Sequence, residues 1–98
     1  MFQIEPTEHG SVLKSEQVCF YRCPDFTHAA LFLHNSPLEI YLEFQPSELQ
    51  FGLRTIGEEQ FHTASFSSTK FYSSDAFTFT FDDDQELEQF YSFYGLER

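Results

Sequence analysis

The chain has 98 residues, enough for one hydrophobic core and no second domain. Sixteen Asp and Glu against five Lys and Arg give a net charge of −11 and a pI near 4.4, a field that repels nucleic acid and lacks the cations that phosphate contacts need. Fourteen Phe, five Tyr and 41% apolar residues exclude an intrinsically disordered acidic chain, which would be poor in aromatics.

In chain order, the first ten residues carry Glu5 and Glu8, with neither a cationic start nor an apolar h-region, so no secretory signal is read there. Phe2–Glu5 and Ser11–Lys14 read as short strands. Gln17–Cys23 reads as a third that stops at Pro24, which has no N–H for a ladder. On such a strand Cys19 and Cys23 lie about 13 Å apart at ~3.3 Å per residue. A disulfide tolerates roughly 7 Å between Cα atoms. Both are therefore expected as free thiols, as in a reducing compartment.

Thr27–His34 contains the longest apolar run, Ala29–Leu33, which is far too short to span a membrane. Its periodicity does not separate helix from strand, and it is the place for a second helix. Taken together, these features predict a cytoplasmic protein, of its own cell or of a host cell.

The middle alternates clearly. Leu38, Ile40, Leu42 and Phe44 interleave with Glu39, Tyr41, Glu43 and Gln45, the period-2 pattern of a half-buried strand. Pro46-Ser47 forms a turn, after which Leu49, Phe51, Leu53 and Thr55 alternate with Gln50, Gly52 and Arg54. Gly57-Glu58-Glu59 forms another turn before Phe61–Phe66, and a Ser-rich stretch runs from Ser65 to Ser74. In Ala76–Phe81, Phe77, Phe79 and Phe81 share one face opposite Thr78 and Thr80.

Asp82, Asp83 and Asp84 then act twice, as charged gatekeepers after an aggregation-prone strand and as the start of a helix. Asp83 with Glu86 matches the Asp form of a capping box. Leu87, Phe90, Tyr91 and Tyr94 make an apolar stripe, and Gly95 with Leu96 supplies a Schellman-type stop. The fold predicted is α+β, a single acidic domain over 1–98. It consists of an antiparallel β-meander of about five strands with the C-terminal α-helix packed on one face.

Motifs for chemistry are scarce. Cys19, Cys23, His28 and His34 give C-x3-C-x4-H-x5-H, but the central spacer is much shorter than the roughly 12 residues that let a zinc finger fold back. No metal or other cofactor is expected. The chain has no G-x-S-x-G, H-E-x-x-H or P-loop, so no enzyme is read.

The acids are the remaining candidates. Glu39, Tyr41 and Glu43 lie on the outer face of the clearest strand and have no local structural task. Glu58 and Glu59 occupy a turn tip, and Asp82, Asp83 and Asp84 a strand–helix corner. If neighbouring strands align, these form a negative stripe interrupted by an aromatic, suited to a basic protein surface. Phe93, beside the helix stripe, reads as a core flank or as an exposed anchor for a partner.

The expected function is a non-enzymatic acidic binding protein that blocks a basic protein, either a nucleic-acid-handling enzyme or complex or a toxin. One version is a phage-type inhibitor of the anti-CRISPR kind, a nucleic-acid mimic whose carboxylates stand in for phosphates. Another is an immunity protein. Direct nucleic-acid or membrane contact is not expected. The alternative is a structural or assembly protein that homo-oligomerises through Phe-rich faces or a sheet edge, a homodimer in the simplest case. Ordinary solubility charge, or the acidic surface of a halophile, explains the same excess without any partner.

Overall fold

A computed structural model describes residues 2–33, 40–66 and 77–97 of the chain. The first half forms one antiparallel sheet in meander order: β1 (Gln3–Thr7), β2 (Gly10–Lys14), β3 (Val18–Arg22), β4 (Ala29–Leu33) and β5 (Ile40–Phe44). After a 3-10 turn over Pro46–Glu48, β6 (Gln50–Ile56), β7 (Glu59–Phe66) and β8 (Phe77–Thr80) make a second, three-stranded antiparallel sheet. One helix, α1 (Asp84–Phe93), follows.

The fold class is the one predicted, a five-stranded antiparallel meander with a C-terminal helix. Its five strands are drawn from residues 3–44, and the later alternating segments form a sheet of their own. The run expected as a second helix at Thr27–His34 is a strand from Ala29 to Leu33. It pairs with β3 on one side and β5 on the other, so its backbone groups are satisfied by neighbours rather than within the segment. His34 lies outside the described residues.

The two sheets and α1 share one core. Leu13, Phe20, Leu31, Leu42 and Phe44 come from the inner face of the first sheet, Ala64 and Phe66 from the second, and Leu87, Phe90 and Tyr94 from the helix. Aromatic pairs hold the junction together: Phe20 meets Phe90 edge-on at 5.1 Å, and Phe44 meets Phe66 at 4.8 Å.

The ends of α1 follow its sequence. Asp83 is the N-cap, and its carboxylate accepts from the Glu86 N–H at 2.9 Å. Glu86, buried, accepts in return from the Asp82 N–H at 2.9 Å. At the other end Gly95 has φ 65°, Leu96 N–H donates to Tyr91 O and Gly95 N–H to Ser92 O, the paired bonds of a Schellman motif.

Two long-range clamps fix α1 to the first sheet. The Gln89 side-chain amide bonds both backbone groups of Phe2, accepting from its N–H and donating to its carbonyl, each at 3.3 Å. Arg22 donates to the Phe93 carbonyl, and its guanidinium lies 4.4 Å from the centre of the Phe26 ring and 4.9 Å from that of Phe93. A cation placed there also faces the negative end of the helix dipole.

Phe93 itself is 3% exposed. Of its two readings the core flank holds, and the exposed anchor for a partner is corrected. The helix stripe is wider than i, i+3, i+4 spacing suggests, because Arg22 reaches over from β3 and covers the flank.

Candidate functional site

Residues directly opposed across strands share a face of the sheet. On the outer face of the first sheet, the pairing sets Val12, Tyr21, Ala30 and Glu43 in one row, and Lys14, Cys19, Phe32 and Tyr41 in the next. Ala30 contributes only a methyl group between Tyr21 and Glu43. The sheet therefore dips there, and an open recess of about 300 Å³ forms, lined among others by Tyr21, His28, Ala30, Tyr41, Glu43 and Glu48.

The walls are positioned by hydrogen bonds. Tyr21 Oη donates to the His9 carbonyl at 2.8 Å, which directs its ring along the β1–β2 turn. Tyr41, 54% exposed, donates from Oη to Glu43 Oε1 at 3.3 Å. His28 is set at the rim by the β3–β4 turn: Cys23 N–H donates to His28 O at 3.0 Å, and His28 N–H donates to Cys23 Sγ at 3.1 Å.

Asp25 braces the same turn. Its Oδ1 accepts from Cys23 Sγ (2.7 Å), Thr27 Oγ1 (2.8 Å) and Thr27 N–H (3.2 Å). These bonds, the thiol's first, hold its carboxyl at about 2, below the ordinary 3.8.

The recess thus presents two phenol rings, two carboxylates and a histidine, and among the described residues no Lys or Arg lines it. Rings and carboxylates together suit an ammonium or guanidinium group, which gains from the π-face and from charge-assisted hydrogen bonds.

Among the described residues the predicted acids do not form the single stripe that aligned strands would give. Tyr41 and Glu43 sit on β5, whereas Glu58 and Glu59 belong to the β6–β7 hairpin and Asp82, Asp83 and Asp84 to the start of α1, because the chain leaves the first sheet after Phe44. Glu39 lies outside the described residues. Glu58 and Glu59 are exposed at the tip of the β6–β7 hairpin. Glu59 shares a shallow recess with Asp82, Asp83, Asp84 and His62, and His62 Nε2 lies 3.6 Å from Asp84 Oδ1. In this second group Asp83 caps α1, and the Asp82 N–H is held by Glu86.

Cys19 and Cys23 are both free thiols. Cys19 stands on the outer face of β3, where burial pushes its thiol up, Lys14 opposing and Glu5 adding. Cys23 is engaged in the Asp25 turn. Among the described residues no group of three or more His, Cys, Asp or Glu is placed to hold a metal ion.

Tyr21, His28, Ala30 and Glu48 were not readable as site residues. They come from β3, the β3–β4 turn, β4 and the turn after β5, and only strand register brings them together. Comparison with protein-family models, curated proteins and solved structures returned no match. No helix among the described residues is long and apolar enough to cross a membrane.

Proposed function

We propose that this is a non-enzymatic binding protein that takes a Lys- or Arg-bearing surface of a partner protein onto the outer face of its five-stranded sheet. The observation that carries this reading is the recess over Ala30, where the rings of Tyr21 and Tyr41 stand beside the carboxylates of Glu43 and Glu48. A net charge of −11 steers a basic partner toward the molecule, and the recess selects one cationic side chain from it. Within this reading, the partner is a protein that handles nucleic acid, whose phosphate-binding cations the carboxylates occupy. A basic toxin is the other source of such a surface.

An octa-arginine peptide titrated into the isotopically labelled protein tests the recess without knowledge of the partner. Shift changes should centre on Tyr21, Ala30, Tyr41 and Glu43, and binding should weaken about tenfold between roughly 50 and 200 mM salt. Glu43→Lys and Tyr41→Ala should each remove the centred shifts. Shifts spread evenly over all acidic residues and indifferent to both substitutions would overturn the proposal.

A further inference from the structure

The strand edges of this molecule are treated differently. β1, at the edge of the first sheet, contains Pro6 and Glu5. A proline offers no donor and a charge resists burial, the usual protection against pairing with another chain. β6 has neither device. It pairs with β7 in an unbroken register over seven residues, from Gln50↔Ser65 to Ile56↔Glu59, and among the described residues no strand pairs with its other side.

All seven residues of β6 are exposed, Leu53 at 60% and Ile56 at 52%. Phe51 reaches the body by stacking on Tyr91, with ring centres 4.6 Å apart. Leu53, two residues on and on the same face, extends beyond that contact.

We propose that β6 pairs antiparallel with β6 of a second copy, joining two three-stranded sheets into one of six strands. Charge selects the occupant. Two copies at −11 repel wherever carboxylates meet, yet β6 carries Arg54 and no carboxylate at all. Along the paired strands themselves no acid opposes acid, and the nearest carboxylates, Glu48 and Glu58, meet only beyond the ends of the ladder.

The sequence QFGLRTI also fits its own reverse. Centred on Leu53, the pairing sets Leu53 against Leu53 of the second copy, Phe51 against Thr55, Gly52 against Arg54 and Gln50 against Ile56. Opposed positions then differ by an even number of residues, so the backbone groups that point outward on one copy meet those that point outward on the other. Phe51, Leu53 and Thr55 of both copies line one continuous face. On the other face, each Arg54 lies over a glycine that has no side chain to obstruct it.

The inference is independent of the cation recess, and salt separates the two. Added salt should tighten the dimer by screening repulsion while weakening binding to arginine peptides. Sedimentation of the full chain should show a dimer at roughly 100 µM and below. Leu53→Lys should weaken it by about tenfold or more with an unchanged circular dichroism spectrum.

A covalent readout keeps the test open if that variant misfolds. In a Cys19→Ser/Cys23→Ser background, Leu53→Cys should form an intermolecular disulfide, since its Cα atoms face each other across the two-fold axis, and Ile56→Cys should not. A monomer throughout this range, a dimer unaffected by Leu53→Lys, or cross-linking through residue 56 but not 53 would each overturn the proposal.

Discussion

Phe20 stands where both sheets and the helix meet, with the rings of Phe2, Phe66, Phe79 and Phe90 around it at centre distances between 5.1 and 5.8 Å. Truncating a fully buried aromatic costs about 3–5 kcal/mol. That is a large share of the roughly 5–15 kcal/mol by which a domain is stable. Phe20→Ala should therefore leave the protein close to unfolded in urea titrations, while Phe20→Leu should retain a cooperative transition. Gly10 is constrained differently. A Cβ there would lie 2.0 Å from the Arg22 carbonyl oxygen, which is backbone and has no rotamer to move. Gly10→Ala should cost about 2 kcal/mol or more in the same titration, although the residue only opens β2.

The Asp25 turn carries a pH signature. Its folded-state pKa of about 2 is below the ordinary 3.8, so its bonds support the turn fully above that ordinary value and are lost as pH falls through about 2. The Thr27 amide resonance, which reports the bond to Asp25, should titrate with a midpoint near 2. It should cease to titrate in Asp25→Asn.

At the scale of elements, α1 was the most legible part of the chain because its signals are local. Asp83, Glu86 and Gly95 occupy fixed offsets from the helix ends, and the structure uses each of them as a cap. Asp83→Ala should lower unfolding free energy by about 1 kcal/mol. Gly95→Ala should cost a similar ~1 kcal/mol through its positive φ. An added methyl there would meet the Phe26 ring at an ordinary 3.5 Å, so packing adds little to that cost. Thermal unfolding of both variants provides the check.

β4 was illegible for a physical reason. Ala29 and Leu31 face the core, but Ala30 on the opposite face is buried as well, among Tyr21, Tyr41 and Glu43. Burial on both faces erases the alternation by which a strand is recognised. The sequence left Phe93 between core flank and exposed anchor, since the cover that decides for the core comes from Arg22, far away in sequence.

For the whole molecule, the proposed function makes charge act with opposite signs on stability and on binding. At roughly 10 mM salt the screening length is about 30 Å, comparable to the molecule, and at 150 mM it is about 8 Å. The principal extents are 42 × 31 × 27 Å, so charge repulsion reaches across the domain only in the first condition. Raising salt over that range should increase the melting temperature by relieving self-repulsion, while affinity for a cationic partner falls. A melting temperature that drops together with affinity would contradict this balance. Alternation marked Tyr41 and Glu43 as outward residues, and both line the recess. The depression between them and Tyr21 was not visible, because it depends on a three-strand register and on one small residue at its centre.

The amide of Gln89 clasps the backbone of Phe2 across 87 positions of sequence. On a ribosome Phe2 is therefore made long before Gln89. Until α1 follows, the emerging sheet lacks its helix, and Leu13, Phe20 and Leu31 lack the cover that Leu87 and Phe90 give them in the folded core. A sheet made well ahead of its helix exposes apolar surface in the interval, which makes the nascent segment a client for holding chaperones until α1 is free to dock.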